Sequence, residues 1–84
     1  MKSYAVIFTY SFDNDVAVYL FDTEEEAKQF LKGAFEEEVR IDTEENGWDC
    51  ESYISEDEDY ARITNYFLGR EPDVTEFRIG NVYC

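Results

Sequence analysis

Two runs within the first twenty-one residues carry apolar side chains on both of their alternating faces, and this limits the chain more than any other feature. Residues 3–10, Ser-Tyr-Ala-Val-Ile-Phe-Thr-Tyr, are β-branched and aromatic. A strand apolar on both sides needs cover on both sides. Asp13-Asn14-Asp15 supplies a turn signal, and Val16-Ala17-Val18-Tyr19-Leu20-Phe21 follows as the second run. The first run therefore reads as a central strand, and the pair as a β-hairpin.

A capping box comes next. Thr23 is followed three residues later by Glu26, and Glu24 and Glu25 suit the positive end of a helix. The spacing predicts a helix from about residue 24. Ala27, Phe30, Leu31, Ala34 and Phe35 form its buried stripe, and Glu24, Lys28, Lys32 and Glu36 are i,i+4 neighbours on its wet face. Gly33 inside the helix costs about 1 kcal/mol relative to alanine. Glu36-Glu37-Glu38 falls where the helix is expected to end; negative charge there opposes the macrodipole, which suggests placement for a partner.

Asn46-Gly47 is a hairpin signal, but a two-residue turn would set Glu44 opposite Asp49 and Asp42 opposite Glu51, so a looser loop is expected. Trp48 to Ile54 reads as a strand with Trp48, Cys50 and Ile54 on one face, and Ser55-Glu56-Asp57-Glu58-Asp59 as a turn. Ser55 with Glu58 is a second possible capping box. Ile63, Thr64, Tyr66 and Phe67 nonetheless favour a strand over Tyr60 to Phe67. Gly69 to Asp73 holds the single proline and reads as a loop. From Val74 to Tyr83, Phe77, Ile79 and Tyr83 alternate with Glu76 and Arg78 as in a strand buried on one face.

The expected fold is α+β, one domain over residues 1–84: a two-layer sandwich of about five mainly antiparallel strands, ββαβββ, with one helix on one face. Eighty-four residues leave room for little more. One helix covers one side only. Tyr4, Phe8, Tyr10 and Tyr19 are therefore candidates for an uncovered aromatic face, binding a protein partner or a second copy in a homodimer.

The charge is unevenly placed. Of 21 acidic residues, twelve lie between Glu36 and Asp59: Glu36, Glu37, Glu38, Asp42, Glu44, Glu45, Asp49, Glu51, Glu56, Asp57, Glu58 and Asp59. Arg40 is the single base among them, so this segment carries −11 of the −14 total. Like charges packed so densely oppose compaction, which makes these twelve the candidate partner-binding acids.

No catalytic residue and no metal or cofactor site is expected. The chain has no histidine, the usual base beside a nucleophile, and its cysteines, Cys50 and Cys84, have no Cys-x-x-Cys spacing. Asp42, Glu44, Asn46 and Gly47 match the first half of a calcium loop, but Tyr53 stands where the bidentate glutamate belongs. Seven scattered Lys and Arg cannot follow a phosphate track, so direct nucleic-acid binding is not expected. Aromatics at 18% argue against disorder, and the stretch from Met1 to Phe8 lacks the features of a signal peptide, so a cytoplasmic location is expected, with no membrane association.

Two functional expectations follow. In the first the protein imitates nucleic acid and blocks a basic nucleic-acid-binding protein or nuclease, the strategy of small acidic inhibitors of restriction or CRISPR enzymes. A domain of this length is roughly 30 Å across, and that length of duplex carries on the order of 18 charges. In the second it is an oligomerising or adaptor domain using the aromatic sheet face, with the acids keeping it soluble.

Overall fold

The structure is a computed structural model that describes residues 3–11 and 16–82. Strands β1 (Tyr4–Tyr10) and β2 (Val16–Phe21) precede helix α1 (Glu24–Arg40), which continues into a π-helical turn, Ile41–Glu45. Strands β3 (Asp49–Ile54), β4 (Tyr60–Tyr66) and β5 (Asp73–Asn81) complete the fold. All pairings are antiparallel, in the order β2-β1-β5-β4-β3. The expected two-layer α+β arrangement is the one observed. The Asp13-Asn14-Asp15 turn, Tyr83 and Cys84 lie outside the described residues.

Thr23 caps α1 from an extended conformation, φ −125° and ψ 154°. Its hydroxyl accepts the Glu26 N–H at 3.2 Å and donates to Glu26 Oε1 at 3.0 Å. The carboxylate of the box thus accepts the hydroxyl. The helix does not end at Glu36-Glu37-Glu38, as the sequence reading expected. Val39 continues the apolar stripe one turn beyond Phe35 and packs against the core, and Arg40 bonds back to Glu37. The Thr43 hydroxyl then donates to the Val39 carbonyl at 2.7 Å, back-bonding that accompanies the widened turn. Asn46-Gly47 ends the turn: Gly47 takes φ +65°, and the N–H of Trp48 reaches the Asp42 carbonyl at 2.9 Å. The macrodipole argument for the glutamate triplet therefore lapses, because the triplet sits inside the helix.

The core lies between α1 and one sheet face. Val6, Ala27, Leu31, Ala61, Ile63 and Phe77 are buried there with Phe35, and Tyr4, Phe8, Phe21, Phe30, Val39, Cys50, Ile54 and Ile79 pack around them. The strand registers place Val6 beside Ile79 and Tyr19, and Phe8 beside Phe77 and Ala17. Even positions of β1 and odd positions of β2 thus face the helix.

This corrects the aromatic-face expectation. Tyr4, Phe8 and Tyr19 lie on the helix side, and Tyr10 belongs there by alternation. Phe8 stacks on Phe30 at 6.0 Å between ring centroids, and Tyr19 meets Phe30 at 4.9 Å. Only Tyr19, 44% exposed, reaches solvent to a large extent. Apolar runs on both faces are degenerate in sequence. The helix took the face with the larger rings because burying them removes more apolar area from water.

The molecule is also longer than expected, 45 × 23 × 20 Å, with a radius of gyration of 13.6 Å.

Candidate functional site

Of the twelve candidate acids, eleven remain at or near the surface and one does not. Asp42 is 5% exposed, because the widened π-helical turn directs it against β4, where it accepts a 2.9 Å hydrogen bond from Asn65 Nδ2. It belongs to the interior and is removed from the candidate surface. Among the described residues no group of three or more acidic or cysteine side chains is placed to hold a metal ion.

The other eleven fall into three groups. Glu36, Glu37 and Glu38 occupy the second half of α1, followed by Glu44 and Glu45 on the π-helical turn. Asp49 and Glu51 lie on β3, an edge strand. Glu56, Asp57, Glu58 and Asp59 form the β3–β4 loop. The chain from Asp49 to Ile54 joins the end of the π-helical turn to this loop, so the three groups are consecutive in the chain, but Asp49 and Glu51 lie on the sheet face opposite the helix that carries Glu36, Glu37 and Glu38.

Arg40, the one base in the segment, spans the first group. It pairs with Glu37 and stands 4.0 Å from both Glu44 and Glu45. The guanidinium holds the Glu37 carboxyl below the usual carboxylate range. Glu38 moves the other way. Partial burial pushes its pKa up, with Asp42 and Glu37 adding repulsion. In the β3–β4 loop the Ser55 hydroxyl accepts the N–H groups of Asp59 and Tyr60 and donates to Asp59 Oδ1 at 2.9 Å. The Ser55–Glu58 pattern therefore builds a turn, with the Ser55 N–H bonded to the Tyr60 carbonyl, and β4 is a strand. Glu58 itself adopts φ +59°.

The pH dependence follows from these shifts. A carboxyl whose folded pKa is raised lets stability fall as pH rises from the unfolded value, about 4.3, through the folded one. Glu38 acts in that direction. Glu37 and Glu76 are depressed, the latter by hydrogen bonds from Tyr60 and Arg78, so their contributions are lost only as pH falls below the ordinary range. Melting temperature is expected to rise when pH drops from 7 to 5, and Glu38→Gln should stabilise at pH 7 and reduce that rise. An unchanged rise in the glutamine variant, measured by thermal melts, would show that Glu38 is not responsible.

The sheet face away from the helix has two unlike halves. Across β3, β4 and β5, Tyr53, Tyr60 and Tyr66 alternate with charge: the Tyr60 hydroxyl donates to Glu76 at 2.7 Å, Arg78 lies over the Tyr60 ring, and the Tyr66 hydroxyl donates to Glu51 at 3.2 Å. These carboxylate bonds raise both phenol pKa values. Across β2 and β1 the same face is aliphatic, with Val16, Val18 and Leu20 about half exposed and Ile7 beside them. Sequence reasoning missed Tyr53, Tyr60 and Tyr66 as the open-face aromatics. Their parity opposite Ala61 and Ile63 was the available signal.

Other surfaces offer little chemistry. An open groove of about 500 Å³ between α1 and the β3–β4 loop is lined by Glu24, Glu25, Lys28, Gln29, Lys32 and Glu58. Its two lysines are paired, Lys28 with Glu24 at 3.1 Å and Lys32 with Glu58 at 3.7 Å. Burial and the nearby Asp42, Asp49 and Glu38 push the Cys50 thiol pKa up, which keeps it in its unreactive protonated form. Among the described residues no helix is long and apolar enough to cross a membrane. The chain matches no protein-family model, no curated protein and no solved structure.

Proposed function

We propose that this is a protein-interaction domain whose exposed acids, from Glu36 to Asp59, bind a basic nucleic-acid-binding protein by occupying the surface meant for phosphates. The observation that carries the reading is that eleven of the twelve acids stay at or near the surface, while Arg40, the one base in that stretch of sequence, is already engaged by three of them. Along 45 Å a duplex carries on the order of 26 charges, about 13 of them on each strand. The protein's −14 is therefore comparable to one strand and not to both. Glu58 adds support: a left-handed glutamate costs about 1–2 kcal/mol where glycine would be unstrained, and strain of this kind concentrates at functional positions.

The test is capture from cell lysate on immobilised protein, elution by a salt gradient, and competition with duplex DNA. Basic nucleic-acid-binding proteins are expected, released by moderate salt and displaced by the duplex. Glu36, Glu56 and Asp57 are exposed and make no hydrogen bond or ion pair within the described residues, so changing all three to lysine should spare the fold and abolish the capture. Retention by the lysine variant, or binding indifferent to salt and duplex, would overturn the proposal.

A further inference from the structure

The two edges of the sheet are guarded very differently, and the geometry points to β2 as the interface of a twofold dimer of this chain. Edge strands expose backbone N–H and C=O groups that invite pairing, and proteins blunt them with charges, proline or bulges. Strand β3 carries Asp49 and Glu51. Strand β2, Val-Ala-Val-Tyr-Leu-Phe, has no charge, proline or glycine, and its register against β1 runs without a bulge from Val16 to Phe21. It nevertheless exposes Val16 by 56%, Val18 by 53%, Leu20 by 49% and Tyr19 by 44%. These four residues account for half of the eight large hydrophobic side chains exposed among the described residues.

A second copy fits this strand better than an unrelated segment because the strand is complementary to itself. Antiparallel pairing with Val18 opposite its symmetry mate sets Val16 against Leu20 on the open face and Ala17 against Tyr19 on the helix face. Only apolar side chains meet, in cross-strand pairs that stabilise sheets. Ile7, paired with Val18, extends the aliphatic strip inward. The twofold axis uses both β2 edges at once and leaves β3 at each end of a ten-stranded sheet, where its carboxylates oppose further growth; the assembly closes as a dimer. The six residues of the strand are themselves uncharged, and the carboxylates of β3 lie four strand spacings away, about 19 Å, more than two Debye lengths at physiological salt.

The test is sedimentation equilibrium from low to high micromolar concentration in 50 mM and 500 mM NaCl. The expected mass is twice the 9.9 kDa of the chain, with association tightening at high salt because two chains of −14 repel. This salt dependence is opposite to that expected for the basic partner, so the two ideas fail separately. Val18→Lys should weaken the dimer at least tenfold, and Glu51→Lys should leave it intact. In the unaltered protein, hydrogen-exchange protection of β2 amides should rise with concentration, which reads backbone pairing without any variant. A monomer throughout both salt series, assemblies larger than two, a dimer indifferent to Val18→Lys, or β2 protection independent of concentration would each overturn the inference.

Discussion

Replacing Phe77 with alanine is expected to lower the free energy of unfolding by about 3–5 kcal/mol, the range for deleting a buried phenylalanine. Phe77 is 2% exposed on the strand between β1 and β4. Its ring lies 4.7 Å from Phe8 and meets Phe35 edge-on at 6.1 Å. Neither neighbour can easily fill the space, since Phe8 is also stacked on Phe30 and Phe35 is fixed to the helix. Small domains hold only about 5–15 kcal/mol in total, so this one change should leave a large unfolded fraction at 37 °C. Urea unfolding followed by circular dichroism measures it. A loss below about 1.5 kcal/mol would mean that the core closes over the gap and that the aromatic stack is not its organising contact.

The second large effect is expected at Asn65. Its side chain is 4% exposed, its Nδ2 donates to Asp42, and its Oδ1 has no hydrogen-bond partner. Asn65→Ala leaves the buried Asp42 carboxylate without that donor and should cost about 2–3 kcal/mol, because a hydrogen bond to a charged group is worth more than a neutral one and its buried partner is left unsatisfied. Asp42→Ala should cost a similar amount by stranding the amide. The double variant should cost less than the sum of the two, with a coupling of about 1.5–3 kcal/mol in a double-mutant cycle. Additive losses would show that the pair is not energetically linked. The pair also ties the π-helical turn to β4 across 23 residues of sequence, so both single variants should increase hydrogen exchange in Ile41–Glu45.

Several features were legible because they are local. The helix start at Thr23 and Glu24, the refusal of Asn46-Gly47 to form a hairpin, and the strand character of Tyr60–Tyr66 rest on capping, cross-strand repulsion and β-branching, each readable within a few residues. Alternation also placed Phe77 and Ile79 on a buried face. The helix end was misjudged because the Glu36-Glu37-Glu38 triplet masks an apolar stripe that resumes at Val39, and only contact with the sheet reveals that stripe.

The candidate site was legible as a charge inventory but not as a surface. Eleven carboxylates stay outside because an exposed charge keeps its hydration, which is what their number in sequence implies. Asp42 carries the same charge and is buried, a difference set by Asn65, a partner beyond the next strand. The sheet faces show the same division. Sequence alone determined that β1 and β2 form a sheet apolar on both sides, because alternate residues of a strand must point to opposite faces. Tertiary structure decided which side the helix would take: the rings of Phe8, Tyr19 and Phe21 converge on Phe30, leaving Val16, Val18 and Leu20 in solvent. The reason is that two apolar faces satisfy the same pattern equally, and only packing in three dimensions distinguishes a face that fits a helix from one that does not.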